Sequence, residues 1–309
     1  MKLTHSITRR ATIQLSRLVL GTAQFGQSYG ITNQIRQVSL AQASEIIRYA
    51  AASGINTIDT AISYGPSERW LGLIGISQWN IITKLPAVSD DNCNITEWVE
   101  ASVKASLSRL KISHLYGILL HRPEQLMGPH GEKLYKALNL LKEKDLVSKI
   151  GISIYDLNEL NMIIPKFSLD IVQAPFSIID RRLLCSGWLK QLYSSGIEIY
   201  ARSIFLQGLL LMCSSERLKK FHRWELLWYQ WDEWLNDVKL TPLQACIRYV
   251  LSFQEINKVI VGVDNLNQLK EIILESNGTL PPVPKDLQSH DINLINPMRW
   301  SQLKNDTNK

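Results

Sequence analysis

The chain has 309 residues, 45% apolar and 20% charged, with a net charge of +6. That is ample core material for one large α/β barrel or two modest domains. No charge-free apolar run reaches membrane-spanning length, and the basic start lacks the apolar segment and small-residue site of a secretory signal.

Cys93, Cys185, Cys213 and Cys246 are far apart and form no CxxC, so reduced thiols in the cytoplasm are expected, with no metal site. Lys and Arg are scattered, without a basic stripe or nucleic-acid motif. The charge suits plain solubility as well as a phosphate-bearing ligand, and neither a nucleic-acid partner nor a membrane is expected.

Residues 1–16 read as a short leader or an extra strand closing a barrel end. Strand one is Arg17–Gly21, followed by a flexible loop with Gly26 and Gly30. A helix with Ser39 as cap and Ala43, Ile46, Ile47 and Ala50 on its apolar face ends at Gly54. Strand two is Ile55–Asp59, a helix starts at Ser67, and strand three is Ile81–Lys84. Next come a helix with Thr96 as cap and Val99, Val103 and Leu107 at helical spacing, strand four ending at His121, and a helix from Gly131. Strand five is VSKIGIS, strand six LDIVQAPFS, and one helix runs through RRLLCSGWLKQLYSSG. Strand seven is IEIYARS; strand eight is Lys258–Gly262, after the helix LTPLQACIRYVLSF and before one starting near Leu266.

Eight strand–helix units with short apolar strands predict a single (β/α)8 TIM barrel, since no two-domain linker appears and GxGxxG is absent after strand one. The barrel carries a Trp-rich insert at about 214–238 and an irregular tail from 281 to 309. Trp224, Trp228 and Trp231 fall three or four apart. They either pack a helix on the barrel rim or form an aromatic wall suited to a sugar ring. The tail would cover a barrel face or join another subunit; a monomer or weak homo-oligomer is expected.

Asp59, Lys84 and His121 each stand where an apolar strand gives out, and Tyr64 follows Asp59 by one short turn. Such residues are often caps or rim residues, but four in successive units can converge at one barrel mouth. Lys84 beside Tyr64 would lower the phenol's pKa, Asp59 would hold Lys84 charged, and His121 would orient a carbonyl. This set suits proton donation to a carbonyl while a cofactor delivers hydride. A Schiff-base lyase or aldolase would need Lys84 neutral.

The stretch GINTIDTAISYGPSE, with GTAQFG and GIS, resembles the aldo-keto reductases, and the likeness runs from about Leu18 to about Leu274. The resemblance implies reduction of aldehydes or ketones with NADPH, less often NADH. Asp59, Tyr64, Lys84 and His121 match the family's tetrad, with Tyr64 as general acid.

It also implies a cofactor site. Ser153 and Gln173 match residues that bind the nicotinamide amide, though Ile154 replaces a common Asn. Arg202 stands where an aromatic ring often stacks on nicotinamide; it would favour the reduced cofactor or turn to a phosphate or carboxylate. Gly21 belongs to the opening motif. Ser203, Phe205 and Gln207 match the stretch under the pyrophosphate. Gly262 and Gln268 occupy positions where a basic residue would grip a 2′-phosphate; Lys270 is the nearby candidate and Asp264 adds negative charge. The family's habit implies NADPH, with NADH possible, and the thin 2′-phosphate pocket implies weak discrimination between them. The substrate is a small carbonyl compound, a sugar-like one among the options. The alternative function is a non-catalytic, nucleotide-binding or regulatory barrel subunit.

Overall fold

A computed structural model describes residues 15–28, 30, 31, 37–89 and 94–303. Most of the expected leader lies outside the described residues. The eight strands are β1 (Leu18–Gly21), β2 (Thr57–Asp59), β3 (Asn80–Leu85), β4 (Leu115–Leu120), β5 (Val147–Ser153), β6 (Ile171–Pro175), β7 (Glu198–Arg202) and β8 (Lys258–Gly262). They are parallel and pair in sequence order, and β8 returns to β1, closing the barrel. This is the (β/α)8 fold that the alternation of elements predicts.

Period-two alternation sets what faces inward. Val19, Ile82, Leu119, Ile171 and Tyr200 form one buried cluster, with Ile260 packed against it. Two residues further along each strand come Gly21, Lys84, His121, Gln173, Arg202 and Gly262. An apolar layer thus plugs the barrel, and the next layer toward the C-terminal mouth is where chemistry can be placed. Below the plug, Glu198 accepts from the hydroxyls of Tyr116 and Tyr200 at 2.9 and 3.2 Å and pairs with Lys149.

The helices pack their apolar stripes on the outer strand faces. Helix α1 (Ala23–Gly26) occupies part of the stretch expected as a flexible loop. Helix α2 (Leu40–Ala52) starts with a capping box between Ser39 and Gln42. Helix α3 (Ser67–Ile74) follows β2, and α4 (Ile95–Leu110) follows β3. Asn94, not Thr96, caps α4, because its side chain reaches the Glu97 N–H. Helices α5 (Gly131–Glu143) and α6 (Leu157–Ile163) flank β5. The single helix expected before β7 is two, α7 (Arg182–Cys185) and α8 (Trp188–Ser194), broken where Gly187 takes φ +82°.

Between β7 and β8, several 3-10 turns lead into α9 (Glu225–Val238) and then α10 (Pro242–Leu251); α11 (Leu266–Glu275) follows β8. Trp228, Trp231 and Trp234 are buried in the core, and the Trp228 indole donates to Phe221 O at 2.8 Å. The tail lies against this insert: the Trp300 ring meets Phe221 edge-on at 4.8 Å, while Trp224 donates to Asp291 at 3.0 Å. The tail covers the chain's own surface here.

Glu68 on α3 ties three elements together. It is 2% exposed, and its carboxylate accepts from Thr83 of β3 at 2.7 Å and from Ser106 and Arg109 of α4 at 2.6 and 2.8 Å. Removing one member of such a buried set leaves the others unpaired. Glu68→Ala should destabilise the fold by roughly 3 kcal/mol, read as a lower urea midpoint at unchanged m-value; a loss below about 1 kcal/mol would mean that water replaces the carboxylate.

Candidate active site

Three strand ends and one turn assemble the site. Asp59 ends β2, Lys84 lies near the end of β3, His121 directly follows β4, and Tyr64 sits on the turn into α3. The Lys84 ammonium donates to Asp59 Oδ2 at 2.6 Å and to Thr60 O at 3.0 Å, and lies 5.1 Å from the Tyr64 ring centre. Asp59 Oδ1 accepts from Gln173 Nε2 at 2.7 Å, and Ser153 Oγ donates to Gln173 Oε1 at 3.3 Å. The His121 ring meets Tyr64 edge-on at 6.0 Å. All four residues that the sequence nominated are together.

Backbone contact holds the turn that carries Tyr64. A Cβ at Gly26 would lie 1.7 Å from Tyr64 O, and one at Gly65, where φ is +49°, would lie 2.5 Å from Gly26 O. Ser67 pins the same corner, donating to Thr22 Oγ1 at 2.9 Å. Only glycine fits at either position without moving Tyr64.

Burial pushes the Tyr64 phenol above its ordinary value; Lys84 pulls it down, but Asp59 adds to the rise. The expected net lowering by Lys84 is therefore corrected, because burial outweighs it, and Tyr64 stays protonated at neutral pH. Burial also works against the Lys84 charge, but Asp59 outweighs it and holds the amine above its ordinary value. A charged Lys84 is no Schiff-base nucleophile. His121 falls to about 4, through burial and then the charges of Lys84, Arg202 and Arg122. It is a neutral imidazole, and Ser63 Oγ lies 3.3 Å from Nδ1. With Ser63 donating there, Nε2 carries the hydrogen and can donate to a carbonyl oxygen.

A cavity of about 310 Å³ runs from Asp59, Tyr64 and Gln173 past Arg202, Ser203, Phe205 and Gln207 to Asp264, Gln268 and Glu271. Gly21 and Gly262 form part of its wall, and Gln24 lies so close to Gly262 that a Cβ there would sit 2.6 Å from it. Ser153 reaches this wall through Gln173 and does not line it. The turn after β7 is strained: Ser203, Leu206 and Gln207 have φ of +59°, +45° and +53°. Non-glycine residues there cost about 1–3 kcal/mol each and persist when surroundings hold them. Leu206 is fully buried, and Gln207 O accepts from Ile31 N at 3.2 Å.

Two sequence expectations fail on side-chain direction. Lys270 is exposed, with its ammonium 5.5 Å from the Tyr49 ring of α2. On α11, Gln268, Glu271 and Ile272 share the cavity face, and Lys270 falls on another. No tryptophan lines the cavity, so the aromatic wall gives way to the packing role. Ser63, Tyr155, Gln24 and Glu271 were not singled out from the sequence, although Ser63 sits inside the motif that named Tyr64.

The unfolded chain protonates His121 near 6.5 and the folded chain only near 4. Its contribution to stability is therefore full above 6.5 and is lost as pH falls toward 4. Proton NMR should find the His121 ring neutral at pH 5 and titrating near 4; a midpoint at the ordinary value would contradict the cationic surroundings. Gly26→Ala should leave the barrel folded but cut turnover about tenfold or more by displacing Tyr64. Turnover equal to wild type would show that the turn yields without moving the phenol.

Residues 17–282 match the Aldo/keto reductase family. Among curated relatives, D-arabinose 1-dehydrogenase of Saccharomyces cerevisiae is 27% identical, with 85% of each chain covered. NADH-specific methylglyoxal reductase of Escherichia coli is 26% identical, covering 87% of this chain and 92% of the relative. Among solved structures, aldo-keto reductase AKR11C1 from Bacillus halodurans in its holo form superposes with a TM-score of 0.67 at 19% identity, covering 88% of this chain and 89% of that one. The match spans every strand of the barrel and all four clustered polar residues, and this chain belongs to the aldo/keto reductase family.

Proposed function

We propose that the enzyme reduces a small aldehyde or ketone to the alcohol, with Tyr64 delivering the proton. The observation that carries this reading is the line Gln173–Asp59–Lys84 ending beside Tyr64, with neutral His121 against the same ring. Bound NAD(P)H would supply the hydride to the carbonyl carbon. Tyr64 remains protonated and gives its proton to the oxygen as negative charge develops there. Lys84 stabilises the phenolate left behind, and Asp59 keeps Lys84 charged and in place. His121 donates through Nε2 and fixes the carbonyl's direction. The free thiols of Cys185, Cys213 and Cys246 suit the cytoplasm.

The residues fit a nicotinamide dinucleotide. Gln173 offers its amide to the carboxamide, and Ser153 holds Gln173 in place from behind. The left-handed turn from Ser203 to Gln207 offers backbone N–H groups to the pyrophosphate. At the far end, Asp264 has a buried Oδ1 without a hydrogen-bond partner, and burial raises its pKa. A ribose hydroxyl would satisfy that oxygen, whereas a 2′-phosphate would meet Asp264 and Glu271 with no Lys or Arg beside them among the described residues lining that end. This end of the cavity supports NADH use beside the expected NADPH, and one curated relative is an NADH-specific methylglyoxal reductase.

Loss of reduced-cofactor absorbance with a panel of small aldehydes and ketones tests the activity. Tyr64→Phe should keep cofactor binding and lose about 100-fold or more in turnover; an unchanged rate would remove Tyr64 as donor. Titration by tryptophan quenching should give NADH a dissociation constant at or below that of NADPH. NADPH binding more than about 30-fold tighter, a gap of about 2 kcal/mol, would reveal a missing phosphate partner.

A further inference from the structure

We propose that the carbonyl substrate carries an anionic group, a carboxylate or a phosphate, received by Arg202 at the Tyr64 end of the cavity; this rests on the reductase reading above. Arg202 ends β7 and lines the cavity together with Tyr64, Gln173 and Ser203. Its guanidinium lies 3.9 Å above the Tyr155 ring, donates to Ile154 O at 2.7 Å and to Ser203 Oγ at 3.1 Å, and has no carboxylate partner among the described residues. Stacking and two hydrogen bonds fix the plane of the fork, and part of its donor capacity stays unused.

The surrounding charges leave Arg202 uncompensated. Lys84 is neutralised by Asp59, and Arg122 lies 3.7 Å from Glu124. Beyond Asp59, which is paired with Lys84, the cavity's acids are Asp264 and Glu271, which stand with Gln268 around the first turns of α11, whereas Arg202 acts on both Tyr64 and His121. The cavity is thus positive beside the reacting groups and negative at its other end. An anionic carbonyl compound would be drawn to Tyr64, and its charge would take up the free donors of a planar guanidinium. A neutral aldehyde would leave that cation without a counterion.

The test compares matched pairs: 4-oxobutanoate with butanal, and glyceraldehyde 3-phosphate with glyceraldehyde. The wild type should favour the anionic member of at least one pair by about tenfold or more in kcat/KM, and the preferred pair distinguishes carboxylate from phosphate. Arg202→Gln should bring the ratio to within about threefold, chiefly through KM, and Arg202→Lys should restore part of it. Succinate, which cannot be reduced, should bind the wild type with cofactor present and lose about tenfold or more in the glutamine variant by calorimetry. Equal use of anionic and neutral substrates by the wild type overturns the proposal. So does a glutamine variant that binds cofactor tenfold more weakly and slows both members alike, which would assign Arg202 to the pyrophosphate. Succinate binding that depends on Arg202, without turnover of any carbonyl, would uphold the anion site and reject the reductase reading.

Discussion

The buried pair between Lys84 and Asp59 is the constraint on which the site depends. Its side chains are 1% and 5% exposed and their charged atoms 2.6 Å apart. Two charges taken from water are tolerated only if attraction and further hydrogen bonds offset the desolvation. The further bonds come from Thr60 O and Gln173, and Gln173 belongs to β6, across the barrel. The neighbouring strands β2 and β3 bring the two charges together, and only the closed barrel adds the Gln173 bond. The same apolar plug that stabilises the barrel floor excludes water from beneath Lys84.

Electrostatic direction runs along the cavity. At one end a charged lysine, a neutral imidazole and an arginine surround a protonated phenol; at the other, two acids and a glutamine stand at α11. The strained turn after β7 joins the two ends. Its left-handed residues persist because Leu206 is locked in the core and Ile31 holds Gln207.

Much of this was legible in the chain because strand periodicity is local. An apolar residue followed two positions later by Lys84, Gln173 or Arg202 marks both the strand and its mouth, and VSKIGIS gave β5 residue for residue. Helix caps were legible where the capping residue stood next to an apolar run, as at Ser39, and misplaced at Thr96, where Asn94 two residues earlier takes the role. What escaped was three-dimensional. The Tyr64 pKa follows from burial by distant segments, which adjacency to Lys84 in the site does not reveal. The direction of Lys270 depends on helix phase, and the tryptophans' burial depends on a tail some seventy residues away in sequence. Tyr155 follows Ser153 by two positions, yet its partner Arg202 lies two strands further on.

Burial keeps the Tyr64 phenol protonated while Asp59 keeps Lys84 charged beside it. The ultraviolet signal of tyrosinate, taken as the difference between the wild type and Tyr64→Phe across an alkaline titration, measures this directly. The account predicts a midpoint above the ordinary value of 10.0. A midpoint well below it would mean that the lysine's charge, not burial, governs the phenol, and that Tyr64 is partly ionised when it should be holding its proton.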